Sequence, residues 1–209
     1  MSSTLTVPAI FVADAPALDF LNSIATPVDE EIDWLADAHG LLDWLGQTGW
    51  VKQDTLKHIA EDAMHAELEV VAAQTRALRD WFRSFVLKHQ GKPLSAEAMD
   101  ELTTLNRLLD RDEKFTQITV SEQNPTQLNL QQIRRWRAPD SLLMPIAEVL
   151  ARFICEEDFS DIKSCEGARC TLMFVDHTRG KKRRWCSMAV CGNRAKAAAH
   201  RDRKKYSDE

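Results

Sequence analysis

Apolar residues recur at three- and four-residue intervals through most of the chain as far as Asp158, a spacing that predicts a mainly helical body. Leu18 and Leu21, around Phe20 and Asn22, predict a short first helix. Trp34, Leu35, Ala38, Leu41, Leu42 and Leu45 form the stripe of a second, with Asp33 as its cap and Gly46 and Gly49 at its end. A long third helix is expected from about 63 to 89. Its apolar face is Leu68, Val71, Thr75, Leu78, Phe82, Phe85 and Val86, and Gly91-Lys92-Pro93 stops it. Ser95 caps the next, turning Met99, Leu102, Leu105, Leu108 and Leu109 inwards. The period then changes to two in Phe115–Val120 and again in Gln127–Trp136, with Asn124-Pro125 between them, which predicts a β-hairpin near 115–137. Pro139-Asp140 opens a last apolar helix through Leu142, Leu143, Ile146, Val149, Leu150 and Phe153. Asp158–Asp161 is the expected hinge, dividing a helical domain at 1–158 from a smaller one at 159–209.

The smaller segment carries the candidate chemistry. Cys165 and Cys170 form one C-x4-C pair and Cys186 and Cys191 another, with fifteen residues between the pairs. Four converging thiols are what a closed tetrahedral zinc site needs, and Asp176 or His177 could replace one sulfur. A closed site leaves no position to activate water, so one structural Zn²⁺ is expected. Gly167 supplies the turn inside the first pair. Thr171–Asp176 is expected as a strand, Arg183–Trp185 as the strand returning beside it, and the Ala-, Lys- and Arg-rich stretch from Arg194 as a helix. Hairpin, zinc and helix together predict a treble-clef-like finger, and the fold class is mainly α with a small β-hairpin (α+β).

Charge sharpens the division. Residues 163–209 hold thirteen Lys and Arg against five Asp and Glu, a balance of +8, whereas 1–162 carry −13; the overall −5 conceals both. A basic, metal-stapled tail predicts a nucleic-acid partner. Lys181, Lys182, Arg183, Arg184, Arg201, Arg203, Lys204 and Lys205 are the candidate phosphate contacts, and Arg194 a candidate base-edge or close phosphate contact. With no apolar run long enough to cross a bilayer and no basic start followed by an apolar stretch, a cytoplasmic protein with reduced thiols and no membrane association is expected. The body contains no Gly-rich phosphate loop, H-E-x-x-H or G-x-S-x-G, so no enzyme is predicted. Asn22, Trp34 and Trp44 are candidates for a ligand pocket. Cys155, on an apolar helix, is expected to pack as a small hydrophobe.

At Arg183-Arg184-Trp185-Cys186-Ser187-Met188 and Cys191-Gly192-Asn193-Arg194-Ala195-Lys196 the tail resembles the CGNR zinc finger, a module named after the residues at Cys191–Arg194. The Cys165–Cys170 pair with Phe174, Asp176 and Arg179 is similar to its upstream half. Residues from about 11 to 153 resemble the ABATE domain, through Leu18-Asp19-Phe20-Leu21-Asn22, the Trp34-Leu35 and Trp44-Leu45 pairs, and the helix of Leu78 and Phe82. The resemblance implies a bacterial, stress-induced transcriptional regulator that binds double-stranded DNA. Gly192 and Asn193 are expected to be structural, Asn193 tying the helix start to the zinc loop. Because a single finger buries little surface on DNA, the body is expected to form a homodimer or to sense a small-molecule effector. The alternative is a zinc-dependent protein-interaction or RNA-binding module with a ligand-sensing body.

Overall fold

A computed structural model describes residues 8–26, 30–121 and 123–207, with the backbone alone at 199 and 202–207. The elements run in the order α1 (Pro16–Leu21), β1 (Ile24–Ala25), β2 (Ile32–Asp33), α2 (Ala38–Thr48), α3 (Gln53–Asp62), α4 (His65–His89), α5 (Thr103–Leu109), β3 (Lys114–Val120), β4 (Leu128–Arg134), α6 (Leu143–Glu156), β5 (Ile162–Ser164), β6 (Met173–Val175) and α7 (Asn193–Ser207). Each sheet is an antiparallel pair: β1 with β2, β3 with β4, β5 with β6.

The long helix expected at 63–89 is α4, and its predicted apolar face is buried throughout. Packed around it are Leu18, Phe20 and Leu21 of α1, Leu41, Trp44 and Leu45 of α2, and Ile146, Leu150 and Phe153 of α6. The aromatic residues interlock edge to face: Phe82 meets Phe153 at 5.8 Å and Phe85 meets Phe159 at 5.9 Å, both T-shaped.

Three arginines of α4, at the spacing of one helix face, organise the segment between α1 and α2. Arg79 is fully buried and grips Asp33 with both arms, Nη1 to Oδ1 at 2.7 Å and Nη2 to Oδ2 at 2.9 Å, while Nη1 also reaches Ser23 Oγ at 3.1 Å. Arg76 donates to the carbonyls of Leu35 and Ala36, and Arg83 to those of Leu21 and Ile24. Asp33 is therefore not the cap of α2. Its carboxylate is held by Arg79, and Asp37 caps the helix instead, accepting from Gly40 N at 2.8 Å.

Other expectations are corrected by packing. A separate helix, α3, lies where none was expected, burying Leu56 and Ile59. The stretch after Ser95 is a 3-10 turn over Ala96–Leu102 whose Met99 is exposed; only Leu105 of α5 is buried there. Asp158–Asp161 is not a free hinge: Phe159 is fully buried in the core, and Gly91 N donates to its carbonyl at 2.8 Å. Cys155 is exposed on α6 instead of packing.

The β3–β4 hairpin pairs in full register from Lys114 opposite Arg134 to Val120 opposite Leu128. Its base is an ion network. Arg134 binds Asp112 at 2.6 and 2.7 Å and Glu148 at 2.9 Å, and Lys114 reaches Glu148 at 2.8 Å. Burial opposes ionisation of Glu148, but bonds from Lys114, Arg152 and Arg134 outweigh it and bring its pKa down to about 2. A depressed carboxylate pKa stabilises the fold above the unfolded value of 4.5, and that contribution disappears as pH falls through the folded value. Unfolding free energy measured by urea titration should therefore drop between pH 4.5 and 2, by less than the about 3.5 kcal/mol that about 1.4 kcal/mol per pKa unit sets as a ceiling, because solvent screens this partly exposed network, and Glu148→Gln should flatten that slope.

Candidate metal centre

Two short loops bring the four cysteines together. Cys165 follows β5, its N–H bonding Leu172 O at 2.9 Å, and Cys170 closes a turn by donating to Gly167 O at 3.0 Å. Cys186 precedes, and Cys191 lies within, a π-helical turn, Met188–Gly192, that runs directly into α7. The four Sγ atoms lie within 4.8 Å of one another, with Cys170–Cys186 at 3.7 Å and Cys186–Cys191 at 3.6 Å. Four sulfurs each about 2.3 Å from one ion sit about 3.8 Å apart, so this donor set fits a tetrahedral zinc. Cys165 Sγ also accepts from the N–H of Gly167 at 3.4 Å and of Cys186 at 3.3 Å, contacts that fix its direction within the loop. The crowded sulfurs resist ionising together. A hydrogen bond from Cys186 pulls Cys170 down to about 5, the same bond and burial push Cys186 up, and burial raises Cys191 to about 11. A divalent cation bound by all four resolves that conflict and supplies structural cross-linking, with no ligand position left for water.

Gly167 is needed by close approach: a Cβ there would stand 3.1 Å from both Cys170 Cβ and Cys191 Sγ. Asp176 and His177 are not ligands. Asp176 is fully buried and accepts from Lys163 Nζ at 2.6 Å, Thr178 Oγ1 at 2.5 Å and Arg183 N at 2.9 Å, while His177 pairs with Glu157 at 2.9 Å. Desolvation opposes the Asp176 charge, but the Lys163 and Thr178 bonds and two backbone N–H groups hold its pKa well below the usual carboxylate range.

The finger is continuous with the body. Strand β6 is wholly buried, and Asn22 of the α1 end clasps it with both amide atoms: Nδ2 donates to Met173 O at 2.8 Å and Oδ1 accepts from Met173 N at 2.9 Å. Val175 N donates to Ala13 O at 2.9 Å. Asn22 is thus an anchor, and Trp34 and Trp44 are core residues, Trp44 meeting Trp50 edge on at 5.1 Å. None of the three lines the cleft beside the zinc loop or the clefts around Asp140, Trp81, Trp136 and His89. β6 pairs with β5, not with Arg183–Trp185, which form no strand; Glu166 N to Arg184 O, at 2.9 Å, is a backbone bond that links that stretch to the first zinc loop.

The basic candidates fall into separate groups. Arg183 turns inwards: Nη2 donates to Val12 O at 2.8 Å and Cys186 O at 2.6 Å, Nη1 meets Asp14 at 2.5 Å, and the guanidinium lies 4.1 Å from the Phe174 ring centroid. Lys181 pairs with Asp161 at 2.5 Å, and Arg184 with Glu166 at 2.6 Å. Lys182 is exposed. Arg194 and Arg201 on α7, together with Arg169, line a cleft of about 400 Å³ beside Cys170 and Cys191, floored by Ala195 and Ala198. Arg203, Lys204 and Lys205 continue along α7, their side chains outside the described residues. Asn193 Nδ2 donates to Ala189 O at 3.2 Å, tying the start of α7 to the zinc turn, and Gly192 is buried against Met188 and Trp185. Sequence reading missed Arg169 as part of this group and Arg79 as the inner clamp. The R-x2-R-x3-R spacing at 76, 79 and 83, on the buried face of α4, is the signal that could have found the clamp.

A helical body carrying a four-cysteine finger, fused to it through a shared strand, defines the class of protein. The chain belongs to the ABATE family, described as "Putative stress-induced transcription regulator", whose model matches residues 14–157, and the CGNR zinc finger model matches 162–204. These are regulatory and zinc-finger families, not enzyme families. Comparison with curated proteins returns no match. No helix among the described residues is long and apolar enough to cross a membrane. Purified protein should contain one zinc per chain by metal analysis. Cys186→Ser should abolish stoichiometric zinc and lower the melting temperature by roughly 5–10 °C, at about 2–4 °C per kcal/mol for a chain of this length.

Proposed function

We propose that the protein is a transcription regulator that binds double-stranded DNA through α7 and the cleft beside the zinc loop, acts in the cytoplasm of a bacterium under stress, and uses its helical body for dimerisation or effector sensing. The observation that carries the reading is the convergence of Arg169, Arg194 and Arg201 on one open cleft at the metal loop, with the basic run of α7 leading away from it. The zinc turn sets the direction of α7 by joining it through Cys191, and the finger's fusion to the body keeps that direction fixed. Lys181, Arg183 and Arg184 are held by Asp161, Val12 and Glu166, so the expected phosphate contacts centre on the cleft-lining Arg194 and Arg201 and the remainder of α7, with Lys182 exposed beside them.

Fluorescence anisotropy with labelled double-stranded DNA, single-stranded DNA and RNA across a salt series tests this. Duplex DNA should bind tightest, with affinity falling linearly in log salt. Arg201→Ala should weaken binding about three- to tenfold and make that slope shallower by about 0.9, without changing the melting temperature. Arg183→Ala should instead lower the melting temperature. Tighter RNA binding would favour the RNA-binding module, and no salt-dependent binding to any of the three would favour a protein partner.

A further inference from the structure

The distal half of the β3–β4 hairpin presents an apolar face to solvent. Ile118 pairs with Leu130 and Val120 with Leu128 across the strands, and period-two alternation puts all four side chains on one face. They are 66%, 73%, 55% and 68% exposed, respectively, among the most exposed large hydrophobic residues described. None packs against the main core. Between Lys114 and Arg134 the two strands carry no charge, and those two flanking charges are neutralised at the base by Asp112 and Glu148. The other face is different, with Arg135 stacked over Phe115 at 4.4 Å.

We infer that this face is the interface of a homodimer, seated against the same face of a second copy about a two-fold axis. An uncharged apolar face offers nothing to steer an acidic or basic partner and is complementary to itself, as a two-fold contact requires. The four side chains present roughly 450 Å² per copy, within the about 300–600 Å² of the largest patch on a typical monomer, a size that often marks function. Two such faces bury about 900 Å², and Thr116 and Gln132 beside them bring the contact towards the about 1,200 Å² of the smallest specific interfaces. A lone two-stranded hairpin is marginal in water; a second hairpin packed on its face supplies the missing layer. The inference rests on, and gives a surface to, the dimerisation proposed for the body, and it stands whether or not the finger binds nucleic acid.

Size-exclusion chromatography with light scattering on the full chain, from micromolar to millimolar, reads the outcome directly. The wild type should give twice the chain mass of 23.8 kDa. Leu128→Lys with Leu130→Lys should halve that mass while leaving the far-ultraviolet circular dichroism spectrum at 25 °C in place, because both side chains are solvent-exposed in the single chain. Ile118→Thr with Val120→Thr, which keeps β-branched shape on the partner strand, should weaken self-association at least tenfold. A wild type that stays monomeric throughout, or a dimer that survives both double variants, overturns the proposal. Duplex binding is read separately, so failure of the dimer leaves the nucleic-acid reading intact, and loss of binding leaves the dimer intact.

Discussion

The insertion of β6 into the body's core is the constraint on which the rest depends. This strand lies between the two cysteine pairs, so the segment that spaces the metal ligands also completes the packing over α1. Asn22 satisfies both hydrogen-bonding groups of Met173 where water cannot, and an unmatched amide there would cost the full desolvation of each group. A finger held in this way is not a module on a tether. These contacts predict that closing the metal site is coupled to closing the body, and they join the zinc turn that leads into α7 to the core.

Positive charge is divided by depth. Arg76, Arg79 and Arg83 clamp the connection between α1 and α2 from within, and Arg183 clamps the zinc loop to Val12 and Asp14. Each donates to carbonyls or a carboxylate, which the guanidinium's planar fork allows and a lysine would not reproduce. Arg169, Arg194 and Arg201 surround an open cleft instead. A single family of side chains thus builds the scaffold and faces the solvent, and only burial separates the two uses.

Much of this was legible in the sequence. The paired cysteine spacing gave the metal set, the Cys191–Arg194 stretch gave the family, and period changes placed α4, α6 and the hairpin within a few residues. What stayed hidden is what depends on partners distant in the chain. Asn22 was visible as a polar residue among apolar ones, yet its partner is 151 residues away, so a pocket and an anchor looked alike. Arg183 sits in a basic run that reads as one surface, although Asp14, 169 residues earlier, sits beside it. The stretch 158–161 lies between the two family matches, yet its polar residues suggested a linker, while Phe159 in their midst belongs to the core. Alternation predicted the hairpin, but alternation alone does not say whether the apolar face is covered.

Differential scanning calorimetry of the zinc-loaded and chelated protein tests the fused architecture most directly. If β6 joins finger and body into one cooperative unit, the loaded protein unfolds in a single transition whose calorimetric and van't Hoff enthalpies agree, and chelation moves that whole transition down in temperature. Two separate transitions, with the body's melting unchanged by removal of zinc, would contradict it.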